Sequence, residues 1–219
     1  IKFPSISVGA TENALLAAFN AKGKTILKNC AIEPEIKDLI SFLIKLGANI
    51  KFYGRTIIIS ESINKKLKVN HEVMFDRIEA GTYLIAAALI GKRITINRIN
   101  PTIIETEINI LKKIGVKIKK NKSSITIRSN QYLKKINIST KPYPGFPTDL
   151  QAQLMVLLTQ ANGTSKIRED IFENRFMHVP ELKRMGARIE IDGKTASIMG
   201  PSKLTGAEVM ATDLRASVS

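Results

Sequence analysis

The 219-residue chain has one cysteine, two histidines and no tryptophan. A single cysteine excludes a disulfide framework, and with two histidines it leaves no ligand set for a structural zinc. Aromatic residues make up only 5% of the chain. None is interleaved with the lysine-rich stretches, as base stacking on single-stranded nucleic acid would require. The longest apolar run, YLIAAALI at residues 83–90, falls far short of the roughly 18 residues a membrane-spanning helix needs. No charged-then-apolar leader precedes the first folded pattern. The expectation is a cytoplasmic protein with no metal, no cofactor and no membrane partner.

Acidic residues are also scarce, with 19 Asp and Glu against 34 Lys and Arg and a net charge of +15. A balance this basic raises nucleic acid as a partner. The lysines, however, fall at strand ends and loops, around residues 65–68, 117–122 and 134–135. They read as solvated surface in a chain biased toward Ile, Lys and Asn; the alternative is a field that attracts small anions. Hydrophobic residues at 44% and charged residues at 24% are ordinary for a globular protein. The length suits one large core or two small ones.

What is present is a repeat. Three segments open with an acidic residue at the head of an apolar helix: Glu12 before ALLAAF, Asp76 and Glu79 before TYLIAAALI, and Asp149 before LQAQLMVLL. Each continues through a glycine (Gly23, Gly91, Gly163) into a β-rich run, then a second helix ending at Gly47, Gly115 or Gly186. These last glycines are 68 and 71 residues apart (115 − 47 and 186 − 115), and each fits a helix C-cap that needs left-handed backbone. Two alternating runs follow: NIKF–YG–RTIIIS, VKIKK–NKS–SITIRS and RIEI–DG–KTASIM. With a leading strand, such as residues 5–8, each copy reads βαβαββ, and the fold class is α/β (α+β). VMATDLR at residues 209–215 opens a fourth copy close to the last residue, and Ile1 is not an initiator methionine. The expectation is an internal piece of a longer protein. Residues 61–74 and 131–142 read as connectors, the first as a link between domains or a long loop within one.

Some motifs carry chemistry. Thr148-Asp149-Leu150-Gln151 fits a capping box, with Asp149 either complementing the helix dipole or accepting a hydroxyl proton in a cleft. Arg175, in Glu173-Asn174-Arg175, and Arg215 either pair with neighbouring acids or present a fork to a carboxylate or phosphate. Residues 5–8 (Ser5, Ile6, Ser7, Val8) lead into a helix start through small side chains, where an anion can approach the backbone. His178 and Cys30 read as packed core residues.

SISVGATEN, AIEPEI, DRIEAGTYLIAAA, YPGFPTDLQAQ, ENRFMHVPELKRMGA and GAEVMATDLRAS resemble the enolpyruvyl transferases, most closely the branch acting on UDP-N-acetylglucosamine. The resemblance covers essentially the whole chain. It implies two domains, each of three βαβαββ units around a pseudo-threefold axis (an inverse α/β barrel). Residues 1–74 would be the last unit of one domain, and residues 75–219 two units of the other. It implies transfer of the enolpyruvyl group of phosphoenolpyruvate to the 3-hydroxyl of UDP-N-acetylglucosamine with release of phosphate. That is the first committed step of peptidoglycan synthesis, and hence of cell-wall biogenesis, cell shape and division.

The same resemblance implies site roles. Asp149 would be the base, and Ile171 and residues 5–8 would lie against the nucleotide. Arg175 and Arg215 would meet anionic substrate. Some members carry Lys where this chain has Ser5, and Cys30 does not match the family's loop cysteine. By that layout the loop and further anion-binding residues lie outside these 219 residues, so the piece alone is expected to be inactive. Other readings stay open from sequence: the shikimate-pathway enolpyruvyl transferase, a basic nucleic-acid-binding module, or a purely structural repeat.

Overall fold

The computed structural model describes residues 1–61, 66, 68–90, 93–128 and 132–211. The chain forms two compact units, Ile1–Met74 and Phe75–Ser219. The first holds one copy of the repeat: α1 (Val8–Asn20), β1 (Lys24–Lys28), α2 (Pro34–Lys45), β2 (Asn49–Tyr53) and β3 (Thr56–Ser60). β3 is central, with β1 and β2 antiparallel on either side. Ile57 and Ile59 point inward from β3, the period-two signature of a sheet with one covered face.

The second unit holds two copies. One runs α3 (Arg77–Ile90), β4 (Arg93–Asn97), α4 (Glu105–Ile114), β5 (Lys117–Lys120) and β6 (Ser124–Arg128). The other runs β7 (Leu133–Lys134), β8 (Asn137–Ser139), α5 (Gln151–Leu158), β9 (Ala161–Arg168), α6 (Val179–Arg184), β10 (Arg188–Asp192) and β11 (Thr195–Gly200). β6 and β11 occupy the place of β3, each flanked by antiparallel neighbours. Ile125 and Ile127 on β6, and Ala196 and Ile198 on β11, face the core with Leu154, Leu157 and Leu158 of α5. Burying one Leu or Ile side chain contributes about 1.5–3 kcal/mol.

The same cap closes the second helix of every copy. Gly47, Gly115 and Gly186 have φ of 101°, 106° and 97°, where a Cβ would be strained. The residue after each donates its amide to the carbonyl five positions back. Ala48 reaches Leu43, Val116 reaches Leu111 and Ala187 reaches Leu182, at 2.9, 3.0 and 2.9 Å. That long bond turns the chain into the following strand, and Ala48, Val116 and Ala187 are all buried. The glycine spacing in the sequence is therefore the period of a structural joint.

Several expectations need correction. Residues 5–8 are not a strand: Lys2 makes the parallel bridge to Lys28, and Ser7 caps α1 by accepting the Ala10 amide at 3.2 Å. Residues 132–142 are more than a connector, because β7 and β8 within them pair parallel to β9. Two of the three hairpin loops sit one residue later than read, while Asn121-Lys122-Ser123 falls between β5 and β6 as expected. Pairing of Asp192 with Thr195 and of Tyr53 with Thr56 makes the loops Gly193-Lys194 and Gly54-Arg55, with φ of 54° at each glycine. Gly91, Gln131 and residues 212–215 of the expected fourth copy, Arg215 among them, lie outside the described residues.

Candidate active site

Asp149 lies in a short 3-10 turn, Thr148–Leu150, that runs directly into α5. The turn is positioned from beneath. Leu150 is fully buried, and Gly81 of α3 leaves room for it: a Cβ on Gly81 would collide with the Leu150 side chain. Gln153 adds a hydrogen bond to the Thr82 hydroxyl at 3.2 Å. On the approach to the turn, the buried Arg77 guanidinium lies 5.7 Å from the centre of the Tyr143 ring, within cation–π range.

Thr148 does not form the expected capping box. Pro147 holds the N-cap position, with no side-chain cap bond, so Thr148 falls inside the turn and its hydroxyl is used elsewhere. It donates to Glu169 Oε2 at 2.8 Å and accepts from Arg175 Nη1 at 3.2 Å. The partner Gln151, expected to reach back, is buried, and its Nε2 meets no acceptor among the described residues.

Arg175 comes from the loop between β9 and α6. Its Nη2 donates to Asp149 Oδ1 at 3.0 Å, and its guanidinium lies 4.9 Å from the centre of the Phe172 ring. The two charged side chains are 15% and 25% exposed, wet enough to meet solute and dry enough for the charge-assisted bond to hold. The acid and the fork picked out from sequence, 26 residues apart, therefore form one ion pair.

Glu169, the residue sequence reasoning missed, sits behind this pair and is 2% exposed. Oε1 accepts from the Thr140 hydroxyl and from the Ile171 and Phe172 amides at 2.8, 2.9 and 3.1 Å. A signal for it existed. Ser165 and Ile167 face inward on β9, and the next inward position in that alternation is 169.

A pocket of about 500 Å3 opens on this loop, bounded by Phe172, Asn174, Arg175, Met177, Ile191 and Lys194 among others. Asp149 is not part of its wall. Ile171 is half-buried, its amide held by Glu169. Ser5, Ile6, Ser7 and Val8 belong to the first unit, where Ser5 is exposed and the others half-buried. His178 is buried. Cys30 is fully buried in the first core, and burial is the largest influence on its thiol, pushing it up. Among the described residues no three His, Cys, Asp or Glu side chains are grouped to hold a metal ion. Nor is any described helix long and apolar enough to cross a membrane.

Arg175 thus fixes the Asp149 carboxylate and itself borders the cavity. Residues 1–219 match the sequence profile of EPSP synthase (3-phosphoshikimate 1-carboxyvinyltransferase). The chain belongs to that family. It is similar to the UDP-N-acetylglucosamine 1-carboxyvinyltransferase of Pelagibacter ubique (strain HTCC1062), 62% identical over 219 residues, which are all of this chain and 52% of that protein. The enzyme of the same name from Halothermothrix orenii is 54% identical over 96% of this chain and 50% of its own length. The chain thus spans about half the length of the curated relatives it matches. Among solved structures, the enolpyruvyl transferase NikO from Streptomyces tendae superposes with a TM-score of 0.86 at 27% identity, over 96% of this chain and 51% of that one. The mixed α/β sheets are those of the enolpyruvyl transferase fold.

Proposed function

We propose that the protein carrying this chain transfers the enolpyruvyl group of phosphoenolpyruvate to the 3-hydroxyl of UDP-N-acetylglucosamine. The observation that carries the reading is the 62% identity across all 219 residues to an enzyme of that name. In the reaction the hydroxyl oxygen bonds to C2 of the enolpyruvyl group, the C2–O bond to phosphate breaks, and the hydroxyl proton passes to a base. Asp149 is that base, held in place by Arg175 through Nη2. In this reading Ile171 and residues 5–8 contact the nucleotide, and Arg175 and Arg215 bind anionic substrate. The enzyme works in the cytoplasm at the first committed step of peptidoglycan synthesis.

Because the chain spans about half of its relatives, these 219 residues alone are expected to release no phosphate: acid, base and anion clamps must converge in one site. The acceptor separates this reading from the shikimate-pathway reaction. Ligand binding to the folded state raises the melting temperature by mass action, by about 2.7 kcal/mol of stability at a hundredfold excess over Kd. The intact protein should be protected against heat by UDP-N-acetylglucosamine and not by shikimate 3-phosphate. The reverse pattern would refute the assignment.

A further inference from the structure

We infer that Glu169 is a positioning residue, which sets the place of Arg175, and through it Asp149, by fixing the direction of the Thr148 hydroxyl. The inference rests on the reading of Asp149 as the base. A hydroxyl has one proton and two lone pairs. Thr148 gives its proton to Glu169 Oε2 at 2.8 Å, so a lone pair is left to accept Arg175 Nη1 at 3.2 Å. The neighbouring Nη2 of the same rigid plane then meets Asp149 Oδ1 at 3.0 Å. Two anchor points, one neutral and one charged, fix the planar fork where a single ion pair would leave it free to swing.

Glu169 suits this task because it is buried and held on several sides. It is 2% exposed, and Oε1 is already held by three donors: the Thr140 hydroxyl and the amides of Ile171 and Phe172. Thr140 is itself locked, since its oxygen accepts the Asp170 amide at 2.9 Å. The remaining oxygen, Oε2, accepts from Thr148. A carboxylate only accepts, so the polarity of the relay is fixed from Glu169 outward. In Glu169→Gln the carbonyl oxygen is needed by the three donors, and the amide NH2 must face Thr148. The Thr148 proton then has no acceptor, and its oxygen is shared between two donors. Size is kept and only the direction of the hydrogen bond changes.

The test is steady-state kinetics on the intact protein with Glu169→Gln, Thr148→Val and the double variant. A positioning role predicts that kcat falls at least about tenfold in each single variant while both KM values stay within about threefold, the pattern of a contact made mainly in the transition state. The double variant should lose about as much as either single one, because the two residues act in one chain. Multiplying losses, an unchanged kcat, or a rise in KM alone would overturn the inference. If Glu169→Gln fails to fold, Thr148→Val decides alone by the same criteria. A substrate-free readout separates this from the functional reading. In nitrogen-15 spectra, the Arg175 guanidinium, assigned by its loss in Arg175→Lys, should rotate slowly in the wild type and freely in Thr148→Val. Free rotation in the wild type overturns the relay whatever the substrate. A wild type that uses shikimate 3-phosphate instead refutes only the acceptor, and the relay is then measured with that acceptor.

Discussion

Glu107, on α4, is a buried acid among Ile108, Leu111 and Ile114, and 4% exposed. Burial pushes its carboxyl up from 4.5 to about 7, against the pull of local backbone hydrogen bonding and of Arg77. The folded protein therefore holds this proton over a range where the unfolded chain has released it. Stability from the neutral form is fully present below pH 4.5 and is lost as pH rises through about 7. Integrating the linkage between pH 5 and pH 8 gives about 2.5 kcal/mol of stability lost from this one group. Glu107→Gln keeps the shape and removes the titration. The assay is urea denaturation of wild type and variant at both pH values, followed on the second unit. The difference between the two proteins should move by about 2–3 kcal/mol in favour of the variant on going to pH 8. Parallel pH dependences in the two proteins would refute the reasoning, because Glu107 would then titrate alike in both states.

Two more expectations follow from geometry. Gly186→Ala should cost more stability than Gly193→Ala by about 1–3 kcal/mol. Both glycines have positive φ, but only at Gly186 does an added Cβ meet a backbone atom, the Lys203 carbonyl oxygen at 2.9 Å. Equal costs in chemical denaturation would show that φ alone decides. Asp149→Asn keeps an acceptor for Arg175 and removes the carboxylate proposed as the base. In the intact protein kcat should fall by about 10²–10⁴ with the melting temperature little changed, and an active variant would move the base elsewhere.

Much of the fold was legible in the sequence because the repeat writes its joints in residues that have no substitute. Gly47, Gly115 and Gly186 mark the left-handed caps, and the runs ending in TIIIS, SITIR and TASIM show the alternation of the central strands. What escaped was decided by contacts between distant residues. Thr148 looked like a cap until its hydroxyl was claimed by Glu169, 21 residues later. Two hairpin loops slipped by one because the glycine of YG and DG takes the first loop position rather than the second. Residues 5–8 looked extended, yet Ser7 already serves the helix.

In the site, residue types were legible and pairings were not. Asp149 and Arg175 could each be picked out as acid and cation, but spacing alone left local partners such as Glu173 equally available. Folding instead joined them across 26 residues. Glu169 was passed over as one of three charges in Arg168-Glu169-Asp170. Only its place in the inward phase of β9 distinguishes it from the exposed pair beside it, Arg168 and Asp170, which bond to each other at 2.8 Å.

The most direct measurement is product formation by the intact protein supplied with phosphoenolpyruvate and either acceptor. Phosphate release that depends on UDP-N-acetylglucosamine, with an enolpyruvyl ether appearing on its 3-oxygen, is the predicted result. Release with shikimate 3-phosphate alone, or none with either sugar or ring acceptor, would contradict the account.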